Sequence, residues 1–303
     1  MAAVEARLGE LTAEGGGRLA AEAGATLAAG GKRLRPMLVL VCAGADAGAG
    51  AIRAATAIEL VHMATLVHDD VLDAAPLRRG SPTVVARAGR PAATAVGDLL
   101  FSRAFAELAS GELGSERQVA LLARASVGLA RGELAQRHDA FELEISAERY
   151  LERCRLKTAS LFECACLIGL EGEPAVARAL EVFGREIGLA FQLLDDVLDV
   201  AGPPERTGKA RGTDLLDGTV TLPLILARER DRSLAGLDLR ALDQASAVEV
   251  CDAIAATGVL DQVRTGARER VETAKRAVAE AGIDGRRQEL LTMVAEGVVE
   301  RYS

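Results

Sequence analysis

The chain contains the stretch LVHMATLVHDDVLD at residues 60–73, in which an apolar run leads directly into three aspartates. The pentapeptide that ends this stretch occurs again within LAFQLLDDVLD at residues 189–199, again after an apolar run. Neither run shows the alternation of a half-buried strand, and both favour α-helix. The two stretches therefore predict two helices that each end in the same acidic pentapeptide.

The repeated pentapeptide indicates a metal site. On a helix its first and fifth residues lie on one face, so Asp69 stacks with Asp73 and Asp195 with Asp199. Like charges at this spacing destabilise a helix by roughly 0.2–0.5 kcal/mol, which a bound cation would offset. Oxygen ligands without nearby thiols suit a hard divalent ion such as Mg²⁺, which completes its shell with water and substrate phosphate. Two facing acidic groups thus predict a polyphosphate held between metal ions.

A structural alternative has to be weighed for each copy. A single acidic pentapeptide is more often a solvated helix face or an N-terminal cap cluster. Two identical copies with matching apolar flanks favour the metal site instead.

Composition predicts an all-α protein. Half of the 303 residues are apolar, yet only 3% are aromatic and Trp is absent, so the core is built mainly from Ala, Leu and Val. Ala and Leu lead the helix propensity scale, and β-branched alternation is scarce. The helical segments that we predict are 3–28, 36–45, 50–73, 92–110, 116–138, 147–170, 174–200, 219–231, 244–256, 258–281 and 285–301. Without a linker-like segment, we expect one domain over residues 1–303.

Charge and hydropathy exclude several classes of partner. The net charge of −8, without a basic block, argues against nucleic acid. The most continuous apolar run, residues 36–45, is far shorter than the roughly 20 residues of a membrane span. An acidic Glu5 stands where a signal peptide would be basic, so we expect a cytoplasmic protein. The five cysteines are odd in number and scattered, which predicts reduced core thiols rather than disulfides.

The order and spacing of the motifs resemble the trans-isoprenyl (polyprenyl) diphosphate synthase family from about residue 30 to residue 224. The pieces that carry the resemblance are GKRLRP at 31–36, His62, HDDVLD at 68–73, LRRG at 77–80, Pro82-Thr83, Gly97-Asp98, GELAQ at 132–136, Lys157-Thr158, FQLLDDVLD at 191–199, Gly208-Lys209 and Asp214. The resemblance implies the isoprenoid synthase fold, an all-α single-domain bundle of mostly antiparallel helices around a deep central cavity. It also implies a homodimer, three Mg²⁺ ions per active site and two diphosphate substrates.

The resemblance assigns the acidic and basic residues to the two substrates. Metal ligands for the allylic diphosphate would be Asp69, Asp73 and Asp195, with Asp70, Asp196 and Asp199 as further ligands or as residues that orient bound water. Cations that complete this site would be Arg78, Lys157 and Lys209. The second substrate, isopentenyl diphosphate, would bind without metal to Lys32, Arg35, His62 and Arg79. Arginine suits phosphate well because its planar fork forms two parallel hydrogen bonds.

The implied reaction is a head-to-tail condensation that forms a trans double bond. Metals and basic residues stabilise the departing diphosphate, and the double bond of isopentenyl diphosphate attacks the allylic cation that remains, which forms a carbon–carbon bond before a proton is lost. The released diphosphate is the expected proton acceptor. Thr158 and Gln192, beside Lys157, occupy positions that the family uses to steady the cation, and Phe191 could add a cation–π contact.

One departure from the family pattern concerns a lysine. The family often has Gly-Lys before Thr-Leu-Pro, whereas this chain has Gly218-Thr219 before Val220. Our hypothesis is that Arg211, in the preceding loop, supplies the missing charge.

Product length is expected to depend on the residues one turn before Asp69. Bulky aromatics there give a short C15 product in the family, but this chain has the small Ala64 and Thr65. We therefore expect a product of C20 or longer. The alternatives are a farnesyl (C15) diphosphate synthase, a class I terpene cyclase, whose second motif normally carries Asn, Ser and Glu, and a non-catalytic partner subunit, which would usually have lost acidic residues.

Overall fold

The computed structural model describes residues 1–44, 47–111, 115–170, 174–202 and 210–300. The chain divides into two compact units, one formed by Met1–Ser126 with Cys164–Ala177 and the other by Val127–Glu163 with Arg178–Ser303. The single domain expected from the sequence stays a prediction.

The first unit is helical apart from one short hairpin. Its helices are α1 (Ala2–Ala13), α2 (Gly17–Ala28), α3 (Leu34–Ala43), α4 (Ala49–Leu72), α5 (Val84–Ala88), α6 (Arg90–Ala109) and the part of α7 (Ser115–His138) up to residue 126. Helical residues 164–168 and 174–177 also belong to this unit. The hairpin pairs β1 (Leu77–Arg78) antiparallel with β2 (Ser81–Pro82), and it follows directly after the first acidic pentapeptide.

Packing of α4 against α6 forms the core of this unit. Small and aliphatic side chains on both helices are fully buried, among them Ala57, Ile58 and Ala64 on α4 and Val96 and Leu100 on α6. Among the described residues, α4 is the one helix long and apolar enough to cross a membrane. Because 67% of its most apolar window is buried within the protein, this is weak evidence for a span.

The second unit contains the remaining helices. They are the end of α7, α8 (Ala147–Cys154), a π-helical segment (Arg155–Ala159), the start of α9 (Ser160–Ile168), α10 (Pro174–Ala201) from residue 178, α11 (Thr213–Leu216), α12 (Leu222–Arg230), α13 (Gln244–Ala256), α14 (Val259–Glu280) and α15 (Gly285–Glu300). Two short 3₁₀ helices, Arg232–Leu234 and Leu239–Ala241, lie between α12 and α13.

Glycines let two helices of the second unit approach the π-helical segment closely. A Cβ on Gly132 of α7 would lie 2.5 Å from the backbone nitrogen of Lys157, and one on Gly188 of α10 would lie 2.6 Å from the Cα of Ala159. Only glycine leaves room for backbone contacts this close. The segment that carries Lys157 is therefore held between α7 and α10, and such π-helical turns are frequent at functional sites.

The all-α class predicted from the sequence is confirmed. The five cysteines are buried thiols, as expected. The helix predicted over 3–28 is wrong as one element, because α1 and α2 are separated at Gly15 and Gly16, which adopt positive φ together with Gly17. The helix predicted from residue 219 begins at Leu222 instead, where Pro223 occupies the first turn and lacks the N–H that a helix interior requires.

Candidate active site

Both acidic pentapeptides lie at the carboxyl ends of long helices. α4 ends at Leu72, with Asp73 as its C-cap, and α10 ends at Ala201. The helix dipole is negative at this end, so each carboxylate there is unfavourable by about 0.3–1 kcal/mol unless a cation is near. The alternative interpretation as N-terminal caps is therefore wrong, and the positions favour cation binding.

Burial separates the aspartates of each pentapeptide into two kinds. The first and fifth residues, which are half-buried or exposed, are Asp69, Asp73, Asp195 and Asp199. The second residues, which are 4% and 2% exposed, are Asp70 and Asp196. Each helix therefore turns two carboxylates outward and one inward, with the outward pairs on the face that the sequence predicted.

The inward carboxylate of the first pentapeptide is paired with the hairpin. Arg78 Nε donates to Asp70 Oδ1 at 2.7 Å. The sequence placed Asp70 among the metal ligands and Arg78 among the diphosphate-binding cations. The observed pair makes Asp70 the residue that holds Arg78 in place, so metal ligation by Asp70 is less well supported than ligation by Asp69 or Asp73.

The inward carboxylate of the second pentapeptide accepts two side-chain hydrogen bonds. Tyr150 donates its phenol proton to Asp196 Oδ2 at 2.5 Å, and Gln192 Nε2 donates to Oδ1 at 2.8 Å. Burial, followed by the nearby charge of Asp214, raises the pKa of Asp196 well above the ordinary range. Gln192 Oε1 in turn accepts from Thr158 Oγ1 at 2.7 Å. The two residues that the resemblance assigns to the cation are thus joined to each other.

Lys157 and Phe191 lie beside this group in the second unit. Lys157 Nζ is 2.5 Å from Glu133 Oε2, and Arg137 Nε donates to Oε1 of the same glutamate at 2.8 Å. Although burial opposes ionisation, these two cations lower the pKa of Glu133. The ring of Phe191 lies 5.6 Å from the ring of Phe162, centroid to centroid. Lys157 is therefore already in an ion pair before any substrate binds.

The basic residues expected to bind the second diphosphate gather in the first unit. A cavity of about 40 Å³ lies between α2, α4 and the hairpin, with room for a few water molecules. Its charged and titratable lining residues are Arg33, Glu59, His62, Asp70, Arg78, Arg79 and Arg87. Four guanidinium groups against two carboxylates make the cavity positive, which suits an anion.

His62 and Arg79, which are expected to bind the second diphosphate, line this cavity. Burial, followed by the positive charges of Arg35 and Arg79, lowers the pKa of His62 well below 6.5. Arg35 lies behind the lining with Nη1 3.5 Å from His62 Nε2, and burial lowers its pKa to about 10. Arg79 donates from Nη1 to the carbonyl of Gly30. The structure therefore brings these three residues together.

Lys32 is exposed and outside the cavity lining. Arg33, the next residue, adopts a left-handed backbone with φ of 49° and turns its guanidinium inward. Its Nη1 donates to Glu59 at 2.8 Å and its Nε to Glu5 at 2.7 Å. Burial raises the pKa of Glu59 although the nearby arginines oppose this. Sequence reasoning missed Arg33 and Glu59, and the signal available was a lone acidic residue in the apolar part of α4.

Comparison with known proteins decides the family. Residues 18–255 match the family described as Polyprenyl synthetase. The chain belongs to the polyprenyl synthetase family. A polyprenyl synthetase relative, heptaprenyl diphosphate synthase component 2 of Geobacillus stearothermophilus, is 42% identical over 243 residues, which cover 78% of this chain and 75% of that protein.

Solved structures of polyprenyl synthetases are similar over nearly the whole chain. The heptaprenyl diphosphate synthase of Staphylococcus aureus has a TM-score of 0.92 at 29% identity and covers 99% of this chain and 96% of its own. The decaprenyl diphosphate synthase of Rhodobacter capsulatus has a TM-score of 0.90 at 34% identity, with 100% and 96% covered. The predicted family and enzyme class are confirmed, and the chain is a trans-prenyltransferase.

The polyprenyl synthetase family uses a divalent metal, and the acidic residues of this chain fit one. In the described parts of the chain, no three His, Cys, Asp or Glu side chains gather closely enough to hold an ion by themselves. Mg²⁺ needs only one or two carboxylates when phosphate and water supply its other ligands. The outward pairs, Asp69 with Asp73 and Asp195 with Asp199, offer two oxygen-donor side chains each, on exposed or half-buried positions.

Arg211 is the residue expected to supply the charge that is missing at Thr219. Arg211 donates from Nε to the carbonyl of Val200 at 2.8 Å and from Nη2 to Asp252 at 2.7 Å. Its guanidinium therefore joins the end of α10 to α13, which does not support the hypothesis that Arg211 replaces the lysine at Thr219. Lys209 lies outside the described residues.

The two residues expected to limit product length lie on α4. Ala64 is fully buried, and Thr65 is half-buried with its hydroxyl donating to the carbonyl of His62 at 2.8 Å. Both side chains are small, and the prediction of a long product requires small side chains at these positions.

Proposed function

We propose that this prenyltransferase condenses an allylic diphosphate with isopentenyl diphosphate, head to tail, and extends the chain to C20 or longer. The observation that carries the proposal is the repeated pentapeptide at two helix carboxyl ends, where two carboxylates face outward and the third is buried and bonded by the protein. This arrangement favours metal-assisted binding of a diphosphate.

The outward aspartates would ligate Mg²⁺, three ions per active site by family resemblance. Bound Mg²⁺ supplies Lewis-acid stabilisation of the negative charge that develops on the leaving diphosphate. Asp69 and Asp73 would bind on the first unit, and Asp195 with Asp199 on the second. Arg78, held by Asp70, would present a guanidinium to the same diphosphate.

Isopentenyl diphosphate would bind to the basic residues of the first unit that surround the basic cavity, which by itself, at about 40 Å³, has room only for a few water molecules. His62 and Arg79 line the cavity, and Arg35 stands next to His62. Lys32 is exposed and lies three residues before Arg35 in the sequence. A neutral His62 donates one hydrogen bond and adds no charge, so the arginines supply most of the attraction for the diphosphate.

Oxygen atoms of Thr158 and Gln192, with the backbone carbonyl of Lys157, would steady the allylic cation after the carbon–oxygen bond breaks. Gln192 presents its carbonyl oxygen toward Thr158, because its amide nitrogen is bound to Asp196. Oriented dipoles of this kind stabilise charge without reorganising during the reaction.

The product length of C20 or longer is supported by the small side chains of Ala64 and Thr65. The names of similar proteins, heptaprenyl and decaprenyl diphosphate synthases, point in the same direction. A C15 product remains the alternative that the experiment below separates.

The test is incubation of the purified protein with labelled isopentenyl diphosphate, Mg²⁺ and each allylic primer in turn, followed by chromatography of the products. We expect linear diphosphates of at least C20, and no product when EDTA is added. A C15 product would refute the length, a cyclised hydrocarbon would indicate a terpene cyclase, and no product with any primer would indicate a non-catalytic subunit.

We also propose a homodimer in the cytoplasm. Support for an interface comes from α7, where Val127 and Leu134 are 59% and 70% exposed and lie two turns apart on one face. Light scattering of the purified chain should give twice the mass of one chain. A monomer that becomes active only with a second protein would refute the homodimer. Fractionation of the source cells tests the location, and recovery in the membrane fraction would refute it.

A further inference from the structure

A buried chain of polar side chains runs through the second unit and ends at the two residues assigned to the allylic cation. Tyr150 donates to Asp196, Gln192 donates to the other oxygen of Asp196, and Thr158 donates to Gln192. The three hydrogen bonds measure 2.5, 2.8 and 2.7 Å. Tyr150 has no part in the reaction described so far.

The members of this chain are well shielded from water. Tyr150 is 1% exposed, Asp196 2% and Thr158 7%, while Gln192 is half-buried. Leaving a buried polar group without a hydrogen-bond partner costs roughly 1–3 kcal/mol of stability. Each of these hydrogen bonds therefore constrains the side chains next to it. Substitution of one of these side chains should therefore alter the hydrogen bonds of the others.

The direction of the bonds fixes the amide of Gln192. Asp196 Oδ2 accepts from the Tyr150 hydroxyl and Oδ1 accepts from Nε2 of Gln192, so the amino group of Gln192 faces Asp196. The carbonyl oxygen then points to Thr158, whose hydroxyl donates to it. If the Tyr150 bond were lost, Oδ2 of Asp196 would become an unpaired acceptor and could draw the Gln192 amide away from this orientation.

The backbone near Thr158 is fixed independently. Thr158 belongs to the π-helical segment Arg155–Ala159, against which Gly132 and Gly188 pack at backbone distance. Tyr150, one helix earlier, is anchored by its place in α8 and by Arg153, whose guanidinium lies 5.5 Å from the centre of the Tyr150 ring. The movable part of the arrangement is therefore the side-chain amide of Gln192.

We propose that Tyr150 is a positioning residue for prenyl transfer, which acts through Asp196 to hold the carbonyl dipole of Gln192 toward Thr158. The inference rests on the proposed function, since it takes Gln192 and Thr158 as the groups that steady the allylic cation. A misdirected dipole weakens stabilisation of the cation but leaves the diphosphate sites intact. Loss of the phenol should therefore lower kcat and leave KM unchanged.

The test compares wild type, Tyr150→Phe, Gln192→Ala and the double variant in the elongation assay with both diphosphates and Mg²⁺. We expect Tyr150→Phe to lower kcat about tenfold, roughly the net worth of one buried hydrogen bond, with KM for each diphosphate within about twofold of wild type. We expect the double variant to be no slower than Gln192→Ala alone, because Tyr150 acts only through that residue.

The matched control is Thr12→Val, which removes a buried hydroxyl that donates to the carbonyl of Leu8 in α1. It should cost similar stability and leave kcat unchanged. The proposal is overturned by a Tyr150→Phe kcat within about twofold of wild type, by multiplicative effects in the double variant, or by a rise in both KM values together.

Two further results separate this inference from its premise. A wild-type protein that fails to elongate any primer would refute the proposed function itself. Should Tyr150→Phe fail to fold, Thr158→Val in the Gln192→Ala background serves instead, and independent effects of these two substitutions would overturn the relay.

Discussion

Arg78 Nε and Asp70 Oδ1 lie 2.7 Å apart, and this pair joins the first acidic pentapeptide to the hairpin that follows it. Asp70 is 4% exposed, whereas the Arg78 side chain keeps 27% of its surface exposed. The carboxylate is thus buried behind the guanidinium rather than beside the outward aspartates. Asp70 and Asp73 should consequently respond differently to substitution, although both belong to the same motif.

We predict that Asp70→Asn lowers kcat/KM for the allylic diphosphate about tenfold and leaves the Mg²⁺ concentration for half-maximal activity unchanged, because Arg78 loses its charged partner. Asp73→Asn is the comparison and should raise that Mg²⁺ concentration. Activity measured across a magnesium titration separates the two. An equal increase in magnesium requirement for both variants would make Asp70 a metal ligand.

The pH dependence of stability should reveal the environment of His62. Its pKa is well below 6.5 in the folded protein, mainly through burial and then through the charge of Arg35. The unfolded chain therefore binds one more proton below pH 6.5, and the free energy of unfolding falls there by up to about 1.4 kcal/mol per pH unit.

His62→Gln provides the matched variant, since glutamine can still accept from Arg35 but does not titrate. We expect urea unfolding between about pH 7.5 and 5.5 to show a smaller loss of stability in the variant than in the wild type. Parallel pH profiles for the two proteins would mean that His62 ionises as readily when folded as when unfolded.

Long apolar periodicity made some of the fold predictable. The predicted segment 50–73 matches Ala49–Leu72 closely, because a buried helix keeps its pattern along its whole length. The break at Gly15 to Gly17 was visible in the sequence, but the apolar residues on either side continue the helical spacing and hid it. The hairpin of β1 and β2 has only two residues a strand, too short for any alternation to be detected.

The candidate active site was likewise predictable only in part. The outward positions of Asp69 and Asp73 follow from helix geometry alone, so the sequence could predict them. The inward turn of Arg33 depends on its left-handed backbone and on contacts with Glu5 and Glu59, which lie 28 and 26 residues away. Contacts at that separation are set by packing, and no local pattern records them.

Substitution at Gly31 should disturb the basic cavity without unfolding the protein. A Cβ there would lie 2.8 Å from Arg33 Nη1 and 3.0 Å from Arg79 Nη1. Both atoms are ends of flexible side chains, so we expect Gly31→Ala to displace the guanidinium groups and raise KM for isopentenyl diphosphate by about tenfold. KM for the allylic substrate should stay unchanged.

The control for Gly31→Ala is Gly50→Ala, a helical position where an added Cβ meets nothing within 4 Å. Both variants are assayed with each diphosphate varied in turn. A Gly31→Ala protein with wild-type KM for isopentenyl diphosphate would show that Arg33 and Arg79 do not contact that substrate.

The proposed product length can be tested at Ala64. We expect Ala64→Phe to shift the products toward C15, because the larger ring would block the growing chain one turn before Asp69. Since Ala64 is fully buried, overpacking should also lower the free energy of unfolding by about 1–3 kcal/mol. The control is Ala64→Gly. Chromatography of its products should show the wild-type distribution of chain lengths. An unchanged distribution in Ala64→Phe would place the limit of chain growth elsewhere.

Substitutions at Arg211 and Thr219 test the hypothesis that Arg211 supplies the charge missing at Thr219. The guanidinium of Arg211 is bound to the carbonyl of Val200 and to Asp252, which is 66% exposed. We therefore expect Arg211→Ala to leave KM for the allylic diphosphate within about twofold of wild type and to lower stability by no more than roughly 1 kcal/mol.

Thr219→Lys is the complementary substitution. Thr219 is half-buried at the position where the family resemblance led us to expect a lysine, and its backbone N–H donates to the carbonyl of Asp214 at 2.7 Å, a bond that a lysine preserves. A new ammonium group there should lower KM for the allylic diphosphate several-fold, to an extent that decreases at high salt. A marked rise in that KM in Arg211→Ala, together with no effect of Thr219→Lys, would instead assign the missing charge to Arg211.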